Sequence, residues 1–105
     1  KQKAAFFDRD GVINQLQKND YIKSFSEFKF IPGVIESLRY LSLKDYLIII
    51  ITNQACVGKS IISEKQLNNI HYQMRKKLYN TKKVLIDDIY YSTYFKDCLK
   101  FFTSL

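Results

Sequence analysis

Cysteine is scarce in this chain of 105 residues: the two that occur, Cys56 and Cys98, do not form a Cys-x-x-Cys pair. Two cysteines exclude the disulfide framework of a small secreted domain, and we expect both to be reduced thiols. The chain also lacks an apolar run of membrane-spanning length and a signal-peptide pattern. We therefore expect a single cytoplasmic domain that covers residues 1–105 and has no membrane partner.

Acidic residues are also few, with 10 Asp and Glu against 17 Lys and Arg, which gives a net charge of +7. This excess suggests attraction to anionic partners such as phosphate esters, nucleic acid or lipid headgroups. The alternative, which we favour, is a set of solvated lysine-rich faces. The densest basic cluster, residues 75–77, lies in a predicted helix without interleaved base-stacking aromatics. Dedicated nucleic-acid binding is therefore not predicted.

Apolar runs and amphipathic segments alternate along the chain. Three runs predict buried strands: Ala4–Phe7, Leu47–Ile51, and Val84 to about Tyr90. Two segments predict helices: one with Pro32 near its first turn, and one that starts at the capping box Ser63-x-x-Gln66 and buries Leu67, Ile70, Met74 and Leu78. The order strand, helix, strand, helix, strand predicts an α/β fold with a parallel sheet and helices on both of its faces.

Polar side chains follow the first two predicted strands, Asp8 and Asp10 after one and Thr52 and Asn53 after the other. If these strands are neighbours, both pairs lie at one crevice beyond the carboxyl ends of the strands. One carboxylate could attack phosphorus while the other transfers protons, and Mg²⁺ could offset their repulsion of a phosphate. The alternative is a simple polar turn, but Thr52 at the end of the next strand favours a site.

The motifs resemble those of haloacid-dehalogenase-like phosphatases, most closely the heptose-1,7-bisphosphate 7-phosphatase and histidinol-phosphatase group. The matching segments are Phe6 to Asn14, Phe30-Ile31-Pro32-Gly33-Val34, Thr52-Asn53-Gln54 and Ile89-Tyr90-Tyr91. The resemblance implies a Rossmann-like three-layer fold, incomplete on its carboxyl-terminal side. It also implies a Mg²⁺-dependent phosphatase of carbohydrate metabolism that acts on a small phosphorylated metabolite.

The same resemblance implies a role for each matched residue. Asp8 would be the nucleophile that forms an aspartyl-phosphate, and Asp10 the general acid and base. The metal ligands would be Asp8 and the main-chain carbonyl of Asp10. Thr52 and Asn53 would bind the transferring phosphoryl group. From its place on the loop after Thr52, Lys59 is a further candidate for substrate binding.

Departures from the family pattern leave two alternatives open. The family's third motif, a basic residue in an Arg-Lys-Pro segment, has Cys98 to Phe102 in its place, and the fourth, acidic motif has no counterpart. The chain could therefore be an inactive remnant or a fragment, in which the first strand becomes a sheet edge open to self-association. A relative that acts on nucleic-acid 3′-phosphate ends uses similar motifs and is the less favoured alternative.

Several other residues invite an assignment that we do not make. Asp87-Asp88 precedes Ile89 and is interpreted as part of the third strand, not as the fourth motif. Relatives hold zinc through Cys and His, but Ser92 and Tyr94 replace two of the expected ligands, so we predict no zinc. Gly58-Lys59-Ser60 lacks the opening glycine of a P-loop. His71 is expected at the surface or an interface. The length of the connection 14–31 suggests a functional role, for example as a lid over the site.

Overall fold

The computed structural model describes residues 2–17 and 20–94. The elements are β1 (Lys3–Phe7), a short 3-10 helix (Phe25–Glu27), α1 (Val34–Leu43), β2 (Tyr46–Asn53), α2 (Ala55–Gly58), α3 (Glu64–Lys82) and β3 (Asp88–Ser92). Their order confirms the predicted alternation of strands and helices. In the part of the chain that is described, no helix is long and apolar enough to span a membrane.

The three strands form one parallel sheet in the order β1-β2-β3. Ala5 pairs with Ile48, and Ile50 pairs with Ile89, so β2 lies between the other two strands. The parallel sheet is thus as predicted, and β1 and β2 are neighbours, which is the condition on which the predicted crevice depends. Because α1 and α3 connect successive neighbours in the same direction, the usual right-handed crossover places both on one face of the sheet, and the two helices contact each other.

The two faces of the sheet are therefore unequal. Ile48 and Ile50 point towards the helices and are fully buried. On the other face the exposed fractions are 60% for Phe6, 51% for Ile51 and 56% for Tyr90. The strands are apolar on both sides, as in a sheet covered by two layers of helices, but the described residues supply one such layer. Within them β1 pairs with β2 alone, so it forms a sheet edge.

The main core lies between the sheet and α3. The capping box predicted from the sequence is present, with the Ser63 side chain and the Gln66 backbone hydrogen-bonded at the start of α3. The four apolar side chains predicted for the buried face of this helix are all buried: Leu67, Ile70, Met74 and Leu78. This helix-to-sheet packing supplies much of the apolar burial that stabilises so small a domain.

The third strand starts later than the sequence predicts. Val84 and Ile86 are buried but lie in a non-strand segment, and β3 begins at Asp88. The segment packs against α3, and Arg75 Nη1 of that helix donates to the carbonyl of Ile86 at 2.6 Å. The carboxylate of Asp87 accepts a hydrogen bond from the Ile48 amide at 2.7 Å. The apolar run therefore belongs to a buried connection. A buried strand and a buried connection without strand structure show the same apolar sequence pattern.

The start of α1 agrees with the prediction. The helix begins at Val34 with Gly33 as its N-cap, so Pro32 lies directly before the N-cap, near the first turn. Gly33 has a φ of 86°, a left-handed conformation that glycine adopts without steric cost.

Candidate active site

Asp8 lies exposed one residue beyond the end of β1. Its Oδ1 accepts a hydrogen bond from the Arg9 amide at 2.7 Å. The chain then turns sharply, because the carbonyl of Arg9 accepts the amide protons of Val12, Ile13 and Asn14. This turn requires a φ of 85° at Gly11, which favours glycine. The turn holds the carboxylate of Asp8 at the carboxyl edge of the sheet, open to solvent.

Asp10 sits two residues later and is held by three side chains. Arg9 Nη2 donates to its Oδ1 at 2.9 Å and Asn14 Nδ2 to the same oxygen at 3.0 Å. Gln54 Nε2 donates to its Oδ2 at 2.7 Å. Burial alone would raise the pKa of Asp10, but the Arg9 charge and these hydrogen bonds together lower it below 3.8. The side chain is therefore ionised in the free protein near neutral pH.

Gln54 connects the two predicted motifs. Besides Asp10, its Nε2 donates to Thr52 Oγ1 at 2.9 Å. Its own amide donates to the Ser92 carbonyl at 2.7 Å, which fixes the end of β2 against β3. Because the Thr52 hydroxyl accepts this bond, its own proton is the group that could donate to a phosphoryl oxygen.

Two open cavities meet at the carboxyl edge of the sheet. The larger, about 470 Å³, is lined by Asp8, Thr52 and Asn53 together with residues of β2 and β3. The second, about 190 Å³, is lined by Asp10 and Asn53 together with residues of the 14–31 connection. The structure thus brings Asp8, Thr52 and Asn53 to one cavity, whereas Asp10 lines a second cavity, to which Asn53 also contributes. The two pairs of polar residues lie at the same edge of the sheet, but Asp10 does not share the cavity of the other three.

Lys59, the fifth predicted site residue, lies on the exposed side of the same edge. Its Nζ donates to the Tyr21 hydroxyl at 2.8 Å and lies 5.3 Å from the centre of the Tyr21 ring. Tyr21 also lines the cavity of Asp10. Within the connection suggested as a lid, Ile22 and Phe28 are buried and anchor it to the core, so Tyr21 is presented to the cavity from a fixed base.

The prediction of a surface position for His71 is wrong. His71 is 5% exposed, because it shares the buried face of α3 with Leu67 and Met74. Its Nε2 lies 3.1 Å from Arg9 Nη1. Burial, followed by the charges of Arg9 and Arg75 and opposed by Asp10, lowers the pKa of His71 from 6.5 to about 4. The imidazole is therefore neutral near neutral pH.

Sequence reasoning missed the role of three residues: Arg9, Asn14 and Gln54. Arg9 and Asn14 are fully buried, and Gln54 is 2% exposed. The burial of Arg9 could have been predicted from the sequence. Side chains alternate between the two faces of a strand, so Arg9 continues the series Ala5 and Phe7 on the face that the helices cover. Nothing in the spacing alone showed that this buried guanidinium contacts Asp10.

The oxygen donors at the site suit a hard cation such as Mg²⁺. One oxygen of Asp8 accepts from the Arg9 amide, and Asp8 lines the larger cavity, so its other oxygen is a candidate ligand. The side chain of Asp10 is instead occupied by Arg9, Asn14 and Gln54, which is compatible with the main-chain carbonyl of Asp10 as the ligand that the family resemblance implies. Residues 2–17 and 20–94 contain no group of three or more His, Cys, Asp or Glu that could hold a metal. Mg²⁺ commonly keeps several waters and substrate oxygens as ligands, so two protein ligands are compatible with it.

Comparison with known proteins shows the family of the chain. A family model described as polynucleotide kinase 3 phosphatase matches residues 3–97. The chain belongs to this family. Curated relatives include the D-glycero-beta-D-manno-heptose-1,7-bisphosphate 7-phosphatase of Haemophilus ducreyi, 33% identical over 91% of this chain and 52% of the relative. The corresponding alpha-anomer phosphatase of Campylobacter jejuni is 34% identical over 93% of this chain and 55% of the relative.

Solved structures of the family share the fold. The D,D-heptose 1,7-bisphosphate phosphatase of B. bronchiseptica, complexed with magnesium and phosphate, superposes with a TM-score of 0.86 at 28% identity, over 91% of this chain and 52% of that one. The enzyme of Burkholderia thailandensis gives 0.65 at 28% identity, over 85% and 52%. The resemblance to haloacid-dehalogenase-like phosphatases and the α/β fold class are thereby confirmed. The chain spans about half the length of these relatives.

The departure at the third motif lies outside the described residues. The segment at the place of the third motif, Cys98 to Phe102, belongs to residues 95–105. The absence of zinc stays a prediction, since Cys98 is in that segment. Cys56 is a buried free thiol whose pKa is raised by burial. Asp87 contacts the Ile48 amide, away from the carboxyl edge of the strands, which agrees with its exclusion from the site.

Proposed function

We propose that this chain carries the nucleophile and the general acid and base of a Mg²⁺-dependent phosphomonoester hydrolase. The reaction would pass through an aspartyl-phosphate on Asp8. The observation that carries the proposal is the exposed carboxylate of Asp8 in one cavity with Thr52 and Asn53. The names of the relatives support a sugar bisphosphate, such as heptose 1,7-bisphosphate, as the substrate.

In the first step an Asp8 carboxylate oxygen forms a bond to phosphorus, and the bond from phosphorus to the sugar oxygen breaks. Asp10 gives that oxygen a proton. Since the pKa of Asp10 is lowered in the free protein, it must gain this proton in the complex, where the negative phosphate ester favours the neutral carboxyl. Thr52 and Asn53 would donate hydrogen bonds to the phosphoryl oxygens, where charge develops.

In the second step Asp10, now a carboxylate, takes a proton from water, and the water oxygen bonds to phosphorus. The bond between phosphorus and Asp8 breaks, which releases inorganic phosphate and restores both carboxyl groups. When bound, Mg²⁺ would offset the repulsion between the Asp8 carboxylate and the phosphate. Asp8 and the main-chain carbonyl of Asp10 are the residues that would hold it.

Hydrolysis of a generic aryl phosphate, measured with and without Mg²⁺, tests the proposal. Asp8→Asn should lower Mg²⁺-dependent turnover by at least about a thousandfold, since it removes the nucleophile. Asp45→Asn is the matched control: Asp45 precedes β2, at the end of the strand opposite the site, and its φ of 64° suits asparagine as well. A folded chain without turnover would instead support the inactive alternative.

The family description gives one reason to keep a second candidate, the removal of 3′-phosphates from nucleic acid. The net charge of +7 is compatible with it. The two candidates differ in salt dependence, because phosphate contacts along a nucleic acid make binding weaken steeply as salt rises. Tight, salt-sensitive binding of a 3′-phosphorylated oligonucleotide would favour this candidate, and its absence at low salt would remove it.

A further inference from the structure

We propose that His71 is a positioning residue for Asp10 that acts through Arg9. Its Nε2 accepts a hydrogen bond from Arg9 Nη1 and so fixes the guanidinium that holds the Asp10 carboxylate. The expected effect of His71 on catalysis rests on the proposed function. The hydrogen bonds from His71 through Arg9 to Asp10 are a property of the fold and do not depend on it.

Arg9 is the centre of this series of hydrogen bonds from His71 to Asp10. It is fully buried, and its three nitrogens are directed at three different partners. Nε donates to Asn14 Oδ1 at 3.2 Å, Nη2 donates to Asp10 Oδ1 at 2.9 Å, and Nη1 lies 3.1 Å from His71 Nε2. A planar guanidinium with three separate partners cannot rotate without losing at least one of them. The three contacts therefore fix both the orientation and the position of the guanidinium plane.

The three partners of Arg9 differ in how far they can fix the guanidinium relative to the core. Asp10 and Asn14 lie one and five residues after Arg9, within or beside the turn that Arg9 itself begins, so they move together with that turn. His71 belongs to α3, 62 residues away in the chain, and is held by the packing of the helix against the sheet. It is thus the hydrogen bond that ties the guanidinium to the core independently of the Asp10 turn, and the ring of buried Phe28, 5.7 Å from Arg9 Cζ, adds a contact without a hydrogen bond.

The protonation states agree with this direction of the hydrogen bond. A guanidinium has donors and no acceptor, so the facing nitrogen of His71 must carry a lone pair. That requires the neutral tautomer with its proton on Nδ1. The burial of His71 beside Arg9 and Arg75 favours the neutral imidazole. A second cation at this place would repel Arg9 and displace it from Asp10.

The chain has a single histidine, so an imidazole ¹⁵N spectrum contains the signals of His71 alone and reports its tautomer directly. We expect the neutral Nδ1–H form near pH 7. We also expect resolved, slowly exchanging Nη protons for Arg9, because rotation of the guanidinium is restricted. A spectrum of the Nε2–H form would overturn the proposal, since a protonated Nε2 cannot accept from Arg9.

Two variants separate positioning from a merely structural role. His71→Leu fills the space but offers no acceptor, whereas His71→Gln retains an oxygen that can accept from Arg9. We expect His71→Leu to lose the resolved Arg9 signals and to lower kcat by roughly tenfold with KM little changed, and His71→Gln to restore both. Unaltered Arg9 signals in a folded His71→Leu, or equal kcat for all three proteins, would overturn the proposal.

The two proposals fail in distinguishable ways. If no form of the protein hydrolyses phosphate esters, the proposed function fails, while the tautomer and the Arg9 signals still decide whether His71 fixes the guanidinium. If the wild type is active but His71 has the wrong tautomer, the proposed function stands and this inference fails.

Discussion

The neutral, buried state of His71 predicts a specific dependence of stability on pH. Its pKa is about 4 in the folded chain against 6.5 for an ordinary histidine. Below pH 6.5 the unfolded chain therefore binds a proton that the native chain does not bind. Stability rises with pH wherever the unfolded state holds more protons. The contribution of His71 is accordingly complete above pH 6.5 and is lost as the pH falls towards 4.

The size of the effect follows from the two pKa values. Linkage gives a loss of about 2 kcal/mol in the free energy of unfolding between neutral pH and pH 5, and on the order of 3 kcal/mol at the acid limit. For a small domain this is a large share of the total stability. Most carboxylates remain ionised down to about pH 5, so the range above that value isolates the histidine.

Urea unfolding of the wild type and of His71→Gln at about pH 7, 6 and 5 measures this contribution. Glutamine does not titrate, so the difference between the two proteins should shrink by about 2 kcal/mol from pH 7 to pH 5. Two stability curves that stay parallel over this range would refute the reasoning. They would mean that the native protein accepts a proton on His71 as readily as the unfolded chain does.

Three further predictions concern the scaffold of the site and are measured by urea unfolding. Gly11→Ala should cost about 1–2 kcal/mol because φ is 85° there, and an unchanged midpoint would contradict the turn. Ser63→Ala should cost about 1 kcal/mol through loss of the capping box, with Ser63→Thr as the tolerated control; equal losses in both would count against the cap. Leu78→Ala should cost about 2–5 kcal/mol because Leu78 is fully buried, whereas a loss under 1 kcal/mol would show a loosely packed core.

Much of the scaffold could be predicted because its signals are local. The run of isoleucines in β2 and the Ser63-x-x-Gln66 box each specify one element within a few residues. The start of β3 could not be predicted, since Val84 and Ile86 are buried in a connection where a strand would show the same apolar pattern. In the structure the carbonyl of Ile86 accepts a hydrogen bond from Arg75 of α3 instead of pairing in the sheet. No local sequence pattern indicates this contact.

The site shows the same division. Asp8, Asp10, Thr52 and Asn53 could be placed at one edge of the sheet because parallel strands end there, but the separate cavity of Asp10 could not be predicted. The buried hydrogen bonds that hold Asp10 include a contact between residues distant in sequence, since Arg9 and His71 are 62 residues apart. The position of His71 was nonetheless readable: it lies four residues after Leu67 and three before Met74, on the apolar face of α3. A titratable residue within such a face is usually buried with a partner, and here the partner is Arg9.

The central claim is that Asp8 becomes covalently phosphorylated, and trapping that intermediate tests it most directly. The protein would be mixed with a ³²P-labelled phosphomonoester and Mg²⁺, quenched in acid within the first turnover, and digested for peptide mapping. The account predicts a hydroxylamine-sensitive label on the peptide that contains Asp8, absent without Mg²⁺ and absent in Asp8→Asn. Release of inorganic phosphate at an equal rate by Asp8→Asn, with no label on that peptide, would contradict it.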